Sequence, residues 1–383
     1  MNKSVQMSAS SSKSSGVVEF VPLEIFVTNE QRRVAEIIVD FTFSFMVSYL
    51  GIVTNAIVIA VFTKQGFKDS VAVSMTVIAV WDFLKCIGGA AQRMSGPIGL
   101  TSLVAAKSWT NISATAFNYF ISFSTYVSSV LAAYVAVERC LCVSMPFRVK
   151  DLITPRVALF FCLLISFIVF GCFMVMFFVY DIVWVYSDQY NATIAVYVNN
   201  NFFKSVSGPL FQYYNLAGII WPTSSLGIIV GSTAIIAYHL RKSTKFRSSM
   251  TGALSGTGNM DACIEHGPKV KESKLSQRDR QVVKMLLVVI GVNVLTLTPR
   301  IIHYTVKYFV YEFYFLRLYH NLFICFTYFL AALDLTNAAV PLFIFYPMST
   351  AFRVTFWGLF GCTAIKETRV SSASPDMKIT KRL

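Results

Sequence analysis

Residues 157–179 read VALFFCLLISFIVFGCFMVMFFV and contain no charged side chain. A helix needs roughly 20 consecutive apolar residues to cross a hydrocarbon core about 30 Å thick, and this stretch meets that length. Working outward in both directions, the chain contains further apolar stretches of similar length. The predicted spans are 35–63, 70–94, 114–142, 157–184, 211–240, 281–307 and 321–346. The sequence therefore predicts an all-α membrane protein, a bundle of seven transmembrane helices.

The overall composition supports a bilayer rather than water as the surroundings of this chain. Of its 383 residues, 55% are hydrophobic and 14% are charged, whereas soluble domains average about 25% charged residues. The formal net charge is +14, but the basic residues lie in the segments between apolar stretches, where they face lipid headgroups. We therefore expect membrane lipids, and no nucleic acid, as partners.

The uneven distribution of basic residues predicts the orientation of the chain. Segment 241–280 carries nine Lys and Arg residues, and the positive-inside rule makes it the third cytoplasmic loop. Residues 1–34 then form an extracellular tail, and residues 347–383 form a cytoplasmic helix and tail. The start of the chain lacks the basic-then-apolar pattern of a cleaved signal peptide, so the first span should direct its own insertion. The expected location is the plasma membrane, with multiple passes.

Two sites of covalent modification are expected. Asn191, Ala192 and Thr193 form a glycosylation sequon in an outer loop, although such sequons also occur by chance. Residues 349–360, STAFRVTFWGLF, predict a short amphipathic helix on the membrane surface. Cys362 follows it and is a candidate for palmitoylation.

Polar residues inside apolar spans are costly and often functional. Asp82 lies in the middle of the second span, and Ser128 and Asn337 are possible neighbours. Their oxygens would suit a cation such as sodium. The alternative is a plain hydrogen-bonded cluster. No other cofactor or metal is expected, because no metal-ligand cluster is visible in the sequence.

Charged residues near the outer ends of the spans predict a ligand cavity. Lys85 and Asp334 lie at comparable depths, so a buried ion pair between them is expected, either to fix helix packing or to contact a ligand. Arg300 follows the helix-weakening Pro299. With His303 and Arg93, Arg300 would make the cavity basic and favour ligands that carry carboxylates or other anionic groups.

At the cytoplasmic end of the third span, Arg139 has two candidate acidic partners. One is the adjacent Glu138, and the other is Asp279 at the start of the sixth span. A bond between helices that can open is a bistable element. We therefore predict that these three residues form a switch that exposes a cleft to a cytoplasmic partner.

At these positions the chain resembles the rhodopsin-like (class A) G-protein-coupled receptors, over roughly residues 35–362. The resemblance rests on Asn55, on Asp82, on the run Glu138, Arg139 and Cys140, and on Pro222 and Pro299. The run ERCLCVSMPFRVKDLITPR at 138–156 is most similar to invertebrate chemosensory receptors of the molluscan type. Neuropeptide receptors are the next nearest. The resemblance implies an extracellular ligand, a heterotrimeric G protein that meets Arg139 once its bond to Asp279 opens, and arrestin as a further partner.

Several departures from the family pattern are also visible. Cysteine is absent from the outer end of the third span and from the second outer loop, so the family's usual disulfide cannot form. The third span offers Ile121, Ser122 and Thr125 where amine receptors place an aspartate, which argues against an amine ligand. The predicted ligand-contact residues are Lys85, Arg93, Ile121, Ser122, Thr125, Arg300, His303 and Asp334. The seventh span has no lysine, which excludes an opsin.

Other protein classes fit the sequence less well. A secondary transporter would show two related halves with broken helices, and we find no internal repeat, although Lys85 and Asp334 could serve a proton path. A channel would need a repeated pore-lining pattern. An enzyme would need a nucleophile and base or a metal site, and none stands out. The sequence therefore predicts a receptor of chemosensory type, with a neuropeptide receptor as the nearest alternative.

Overall fold

The computed structural model describes residues 23–67, 69–145, 153–255 and 269–359, with side chains described outside 240–287 and 289. Its helices are α1 Asn29–Ala35, α2 Phe45–Gln65, α3 Ser70–Arg93, α4 Ser95–Gly99, α5 Leu103–Ser144, α6 Pro155–Phe173, α7 Asn201–Ser255, α8 Lys269–Phe309, α9 His320–Ala339, α10 Pro341–Met348 and α11 Thr350–Leu359. A π-helical segment, Glu36–Ser44, joins α1 to α2, and a 3-10 helix, Met174–Phe178, follows α6. Strands β1 Tyr180–Ser187 and β2 Ala192–Asn199 pair as an antiparallel hairpin.

The helices form the predicted transmembrane bundle. Six described segments are long and apolar enough to cross a membrane: Asn29–Gln65, Ser70–Gly99, Leu103–Ser144, Pro155–Phe178, Asn201–His239 and His320–Met348. Helix α8 carries the remaining predicted span, 281–307, and packs between α7 and α9. Large apolar side chains such as Phe160 and Phe167 are exposed on the outside of the bundle, as lipid contact requires. The short helix α11 lies against α2, where the Lys64 Nζ donates a hydrogen bond to the Gly358 carbonyl at 2.7 Å.

Several helix boundaries differ from the predicted spans. Helix α5 begins at Leu103 rather than 114, because the Ser102 hydroxyl accepts a hydrogen bond from the Ala105 N–H and caps it. The prediction of a helical span through 184 is wrong at its end, because α6 stops at Phe173 and β1 begins at Tyr180. The strand sequence, YDIVWVYS, is rich in β-branched and aromatic residues. The backbones of α7 and α8 continue helically into the predicted third loop.

Buried polar side chains connect the spans. The Asn55 side-chain amide donates to the carbonyls of Gly51 and Ala338, each at 2.8 Å, and so joins α2 to α9. The Trp81 indole N–H donates to the Ser166 hydroxyl at 2.9 Å and joins α3 to α6. Interhelical hydrogen bonds of this kind stabilise helix association in lipid, where hydrophobic burial contributes little.

The hairpin is fixed to α5 by two hydrogen bonds at one residue. The Asn111 side-chain amide donates to the Ala195 carbonyl at 2.7 Å, and the Ala195 N–H donates to the Ser108 hydroxyl at 3.2 Å. Ala195 is fully buried. These bonds connect the first turns of α5 to the hairpin, the two regions that the usual disulfide of the resembled family would join.

Replacing both Ser108 and Asn111 with alanine is expected to loosen the hairpin. Each lost hydrogen bond should cost about 0.5–1.5 kcal/mol, so amide hydrogen exchange over residues 180–199 should accelerate. Ser205→Ala is the matched control, because the described hydrogen bond of the Ser205 hydroxyl is to the Phe202 carbonyl of its own helix. Dithiothreitol should leave exchange in the wild type unchanged. Unchanged exchange in the double variant would show that the hairpin is held in another way.

Candidate functional site

A cavity of about 370 Å³ lies among the helices at the end of the bundle that carries the β-hairpin, which we name the hairpin end. Side chains from the π-helical segment, α3, α5, α7, α8 and α9 line it, together with Tyr180 and Tyr197 of the hairpin. Burial, together with the neighbouring Tyr180, raises the pKa of Tyr197. The cavity is therefore lined by six helical segments and by the hairpin.

The structure brings most of the predicted ligand-contact residues to this cavity. Its lining includes Arg93, Ile121, Ser122, Arg300, His303 and Asp334. Lys85 and Thr125 are not part of the lining. The Lys85 side chain is fully buried, and the Thr125 hydroxyl donates to the Ile121 carbonyl of its own helix at 3.0 Å. Ligand contact by the lining residues stays a prediction.

The predicted ion pair between Lys85 and Asp334 is wrong, because each residue has a different partner. Asp334 pairs with Arg300 across α8 and α9, and both side chains are only 3% exposed. Lys85 instead pairs with Asp82 on its own helix, with 2.8 Å between the Lys85 Nζ and the Asp82 Oδ1. The i,i+3 spacing allows this local pair, whereas the pairing across helices depends on their rotation, which the sequence does not show.

Arg93 also has an acidic partner that the sequence did not suggest. Its guanidinium forms an ion pair with Asp40 in the π-helical segment and donates to the Gly89 carbonyl at 3.0 Å. The first span therefore supplies a counter-ion to the cavity wall. Because Arg93 and Arg300 are both neutralised in this way, neither supplies the free positive charge that we expected for an anionic ligand.

Lys307 is a basic cavity residue that the sequence analysis missed. It is 4% exposed, and its ammonium lies 4.3 Å from the centroid of the Tyr304 ring and 4.8 Å from that of Tyr214. Among the described side chains, no carboxylate lies within 4 Å of its Nζ. The sequence feature that could have revealed Lys307 is its spacing from Arg300 and His303, which places three basic side chains along one face of α8.

The three residues of the predicted sodium pocket are arranged differently from the prediction. The Ser128 hydroxyl donates to the Asp82 Oδ1 at 2.9 Å, and the Lys85 ammonium lies 2.8 Å from the same oxygen. No described hydrogen bond joins Asn337 to Asp82. An ammonium group therefore already neutralises the carboxylate that was expected to hold a cation. This arrangement does not fit a sodium ion bound to Asp82.

At the opposite end of the bundle, Glu138 bonds to α3 rather than to Arg139. Its carboxylate accepts hydrogen bonds from the hydroxyls of Ser70 and Ser74, the latter at 3.3 Å, and the side chain is 1% exposed. In the described part of the chain, Glu138 and Arg139 form no ion pair. The Asp279 side chain lies outside the described residues, so its predicted bond to Arg139 stays a prediction.

The predicted modification sites fall on different parts of the structure. Asn191 is exposed in the turn of the hairpin, with φ of 47°, and glycosylation there stays a prediction. Cys362 lies outside the described residues.

The comparison with protein families now identifies the chain. A family model described as 7 transmembrane receptor (rhodopsin family) matches residues 54–336, more than half of the sequence. The chain belongs to this family. It is therefore a rhodopsin-family receptor that crosses the plasma membrane several times, and the predictions of receptor class and of no enzymatic role are confirmed. Membership implies an extracellular ligand and a G protein as partners. A comparison with curated proteins finds no match.

Proposed function

We propose that this rhodopsin-family receptor binds a small chemical ligand in the cavity at the hairpin end and then activates a heterotrimeric G protein, in a chemosensory role. The observation that carries the proposal is the cavity itself, which is lined by six of the spans and by the hairpin. Ser122 in its wall and Arg139 lie on one continuous helix, α5. At 1.5 Å per residue they are about 25 Å apart along its axis, so a ligand must act through helix rearrangement.

The proposed mechanism is a shift between two populations of the bundle. A ligand that binds better when α8 has moved away from Arg139 increases that population. Opening of the predicted bond between Arg139 and Asp279 would then expose the cleft for the G protein, with arrestin and membrane lipids as further contacts. The hairpin end is extracellular in this proposal, which is supported by the basic segment 241–280 at the other end.

The size of the cavity supports a small ligand over a neuropeptide. Its volume of about 370 Å³ lies near the lower limit of small-molecule sites, which span about 300–1,000 Å³. The separate ion pairs of Lys85 and Asp334 also weaken the transporter alternative, because these residues form no single polar path.

The test is nucleotide exchange on a panel of Gα subunits in membranes that carry the receptor, with small acids and peptides as candidate ligands. We expect a ligand response in the wild type and at least about a tenfold loss in Arg139→Ala, which corresponds to about 1.4 kcal/mol. Lys107→Ala removes an exposed cation at the hairpin end and is the control that should keep full activity. Asp279→Ala should raise basal exchange.

A different outcome would favour another function. Surface-expressed receptor that activates no Gα subunit, but shows solute flux that depends on Lys85 and Asp334, would replace the receptor proposal with the transporter alternative.

A further inference from the structure

We propose that the ligand of this cavity is a small aromatic carboxylic acid whose carboxylate pairs with the ammonium of Lys307. This inference rests on the proposed function and specifies the chemical class of the ligand. Lys307 lies on α8 near the hairpin end and lines the cavity, and it is 4% exposed.

The first support is the charge balance of the cavity wall. Three carboxylates line it, and each already has a basic partner: Glu36 with Arg33, Asp40 with Arg93, and Asp334 with Arg300. Among the described side chains none is left to pair with Lys307. A cation that is removed from water without a counter-ion carries a large desolvation cost, which a bound anion would offset.

The second support is the set of aromatic rings that surrounds this ammonium. Its Nζ lies 4.3 Å from the Tyr304 ring centroid, 4.8 Å from Tyr214, 5.3 Å from Tyr314 and 5.9 Å from Phe323. Ring faces attract a cation, but they offer no lone pair to its three N–H donors. A carboxylate supplies those lone pairs, and an aromatic group attached to it would pack against the same rings.

The third support is a hydrogen-bond donor on one of the aromatic rings that surround the Lys307 ammonium. Tyr314 lies in the loop between α8 and α9, and burial, with Tyr180 and Tyr304 nearby, raises the pKa of its phenol despite the opposing effect of Arg317. The phenol therefore stays protonated at physiological pH and can donate to a carboxylate. Tyr180 and Tyr197 of the hairpin also line the cavity, and its volume of about 370 Å³ limits the ligand to a small molecule.

Lys307 is also placed to transmit binding to the bundle. One helical turn before it on α8, the hydroxyls of Tyr304 and Tyr214 are 2.8 Å apart and join α8 to α7. The Tyr304 ring lies so close to Gly218 on α7 that a Cβ on that glycine would be 2.3 Å from the ring. An anion drawn to Lys307 would bind against the contact between α7 and α8, the contact that must change when α8 moves.

The test measures thermal unfolding of the full-length receptor in lipid nanodiscs, which requires no G protein. The probes are benzoate, phenylacetate and indole-3-acetate, each compared with its neutral carboxamide. We expect at least one acid to raise the unfolding midpoint of the wild type by about 2–4 °C more than its amide does. This difference should vanish in Lys307→Met, which removes the charge, and persist in Lys307→Arg, which keeps it.

The stability of the ligand-free Lys307→Met variant separates ligand binding from a purely structural role. If the role of Lys307 is to bind an anionic ligand, the variant should unfold at the same temperature as the wild type or higher, because an uncompensated buried charge has been removed. The proposal is overturned if the variant is less stable and none of the acids differs from its amide. In that case nucleotide exchange on Gα would still test the receptor function separately, since it does not depend on these probes.

Discussion

Replacing Asp334 with alanine is expected to destabilise the receptor by about 3–5 kcal/mol, because it leaves the Arg300 guanidinium buried without its counter-ion. Arg300 is 3% exposed. Its other described contacts are the Tyr126 hydroxyl, 3.4 Å from the Nη1, and the Tyr126 ring, whose centroid is 5.2 Å from the Cζ. Neither can replace a carboxylate. Thermal unfolding in nanodiscs and the surface-expressed fraction measure the effect.

The matched control is Asp188→Ala, which removes an exposed carboxylate from the hairpin turn and should cost less than about 0.5 kcal/mol. The double variant Arg300→Met with Asp334→Leu should recover most of the lost stability, since apolar residues often replace a buried ion pair at little cost. If Asp334→Ala unfolds at the same temperature as Asp188→Ala, the pair contributes nothing and the structure's assignment of partners is wrong.

Two double-mutant cycles distinguish the pairing of Asp334 with Arg300 from the pairing with Lys85 that the sequence suggested. Lys85→Met and Asp334→Ala should be additive within about 0.3–0.5 kcal/mol, as expected for residues that share no contact. Arg300→Met and Asp334→Ala should be strongly non-additive. The two cycles together show which basic residue Asp334 requires.

The architecture could be predicted from the sequence because it depends on local properties. Apolar length defines each span, and basic residues define the loops between them. Asn55, Asp82 and Arg139 could also be assigned to their helices, because each is a polar residue in or at the end of an apolar stretch. The end of the fourth span could not be predicted, because YDIVWVYS at 180–187 is apolar enough to resemble helix in hydropathy.

The partners of the buried charges could not be predicted, because they depend on how each helix is rotated and shifted against its neighbours. Depth in the membrane made Asp334 an equally good partner for Lys85 and for Arg300. Asp40 was overlooked as the partner of Arg93 because it lies in a π-helical segment, whose wider turn changes the face on which side chains lie. Lys307 was overlooked because it ends the predicted span, where a lysine usually extends to the membrane surface.

Replacing Lys85 with methionine is expected to convert a receptor that is insensitive to sodium into one that sodium stabilises. In the wild type, the Lys85 ammonium lies 2.8 Å from the Asp82 Oδ1 and neutralises it. Exchange of sodium chloride for N-methyl-D-glucamine chloride should therefore leave the unfolding temperature unchanged. Without Lys85, the Asp82 carboxylate is stranded at 4% exposure, and among the described hydrogen bonds its donor is the Ser128 hydroxyl. This loss should cost about 3–5 kcal/mol in sodium-free buffer.

Sodium should then recover part of this loss, because a small cation can coordinate the oxygens that the ammonium formerly satisfied. A site with a Kd tenfold below the sodium concentration would return about 1.4 kcal/mol. Lys85→Met with Asp82→Asn is the control, since it lacks the carboxylate and should show no sodium effect. A wild type that sodium stabilises would contradict the assignment, because the Lys85 ammonium could not then be the cation of Asp82. A sodium effect confined to Lys85→Met would instead support the assignment. In that case the Lys85 ammonium occupies, in the wild type, the place of the sodium ion that the sequence predicted at Asp82, Ser128 and Asn337.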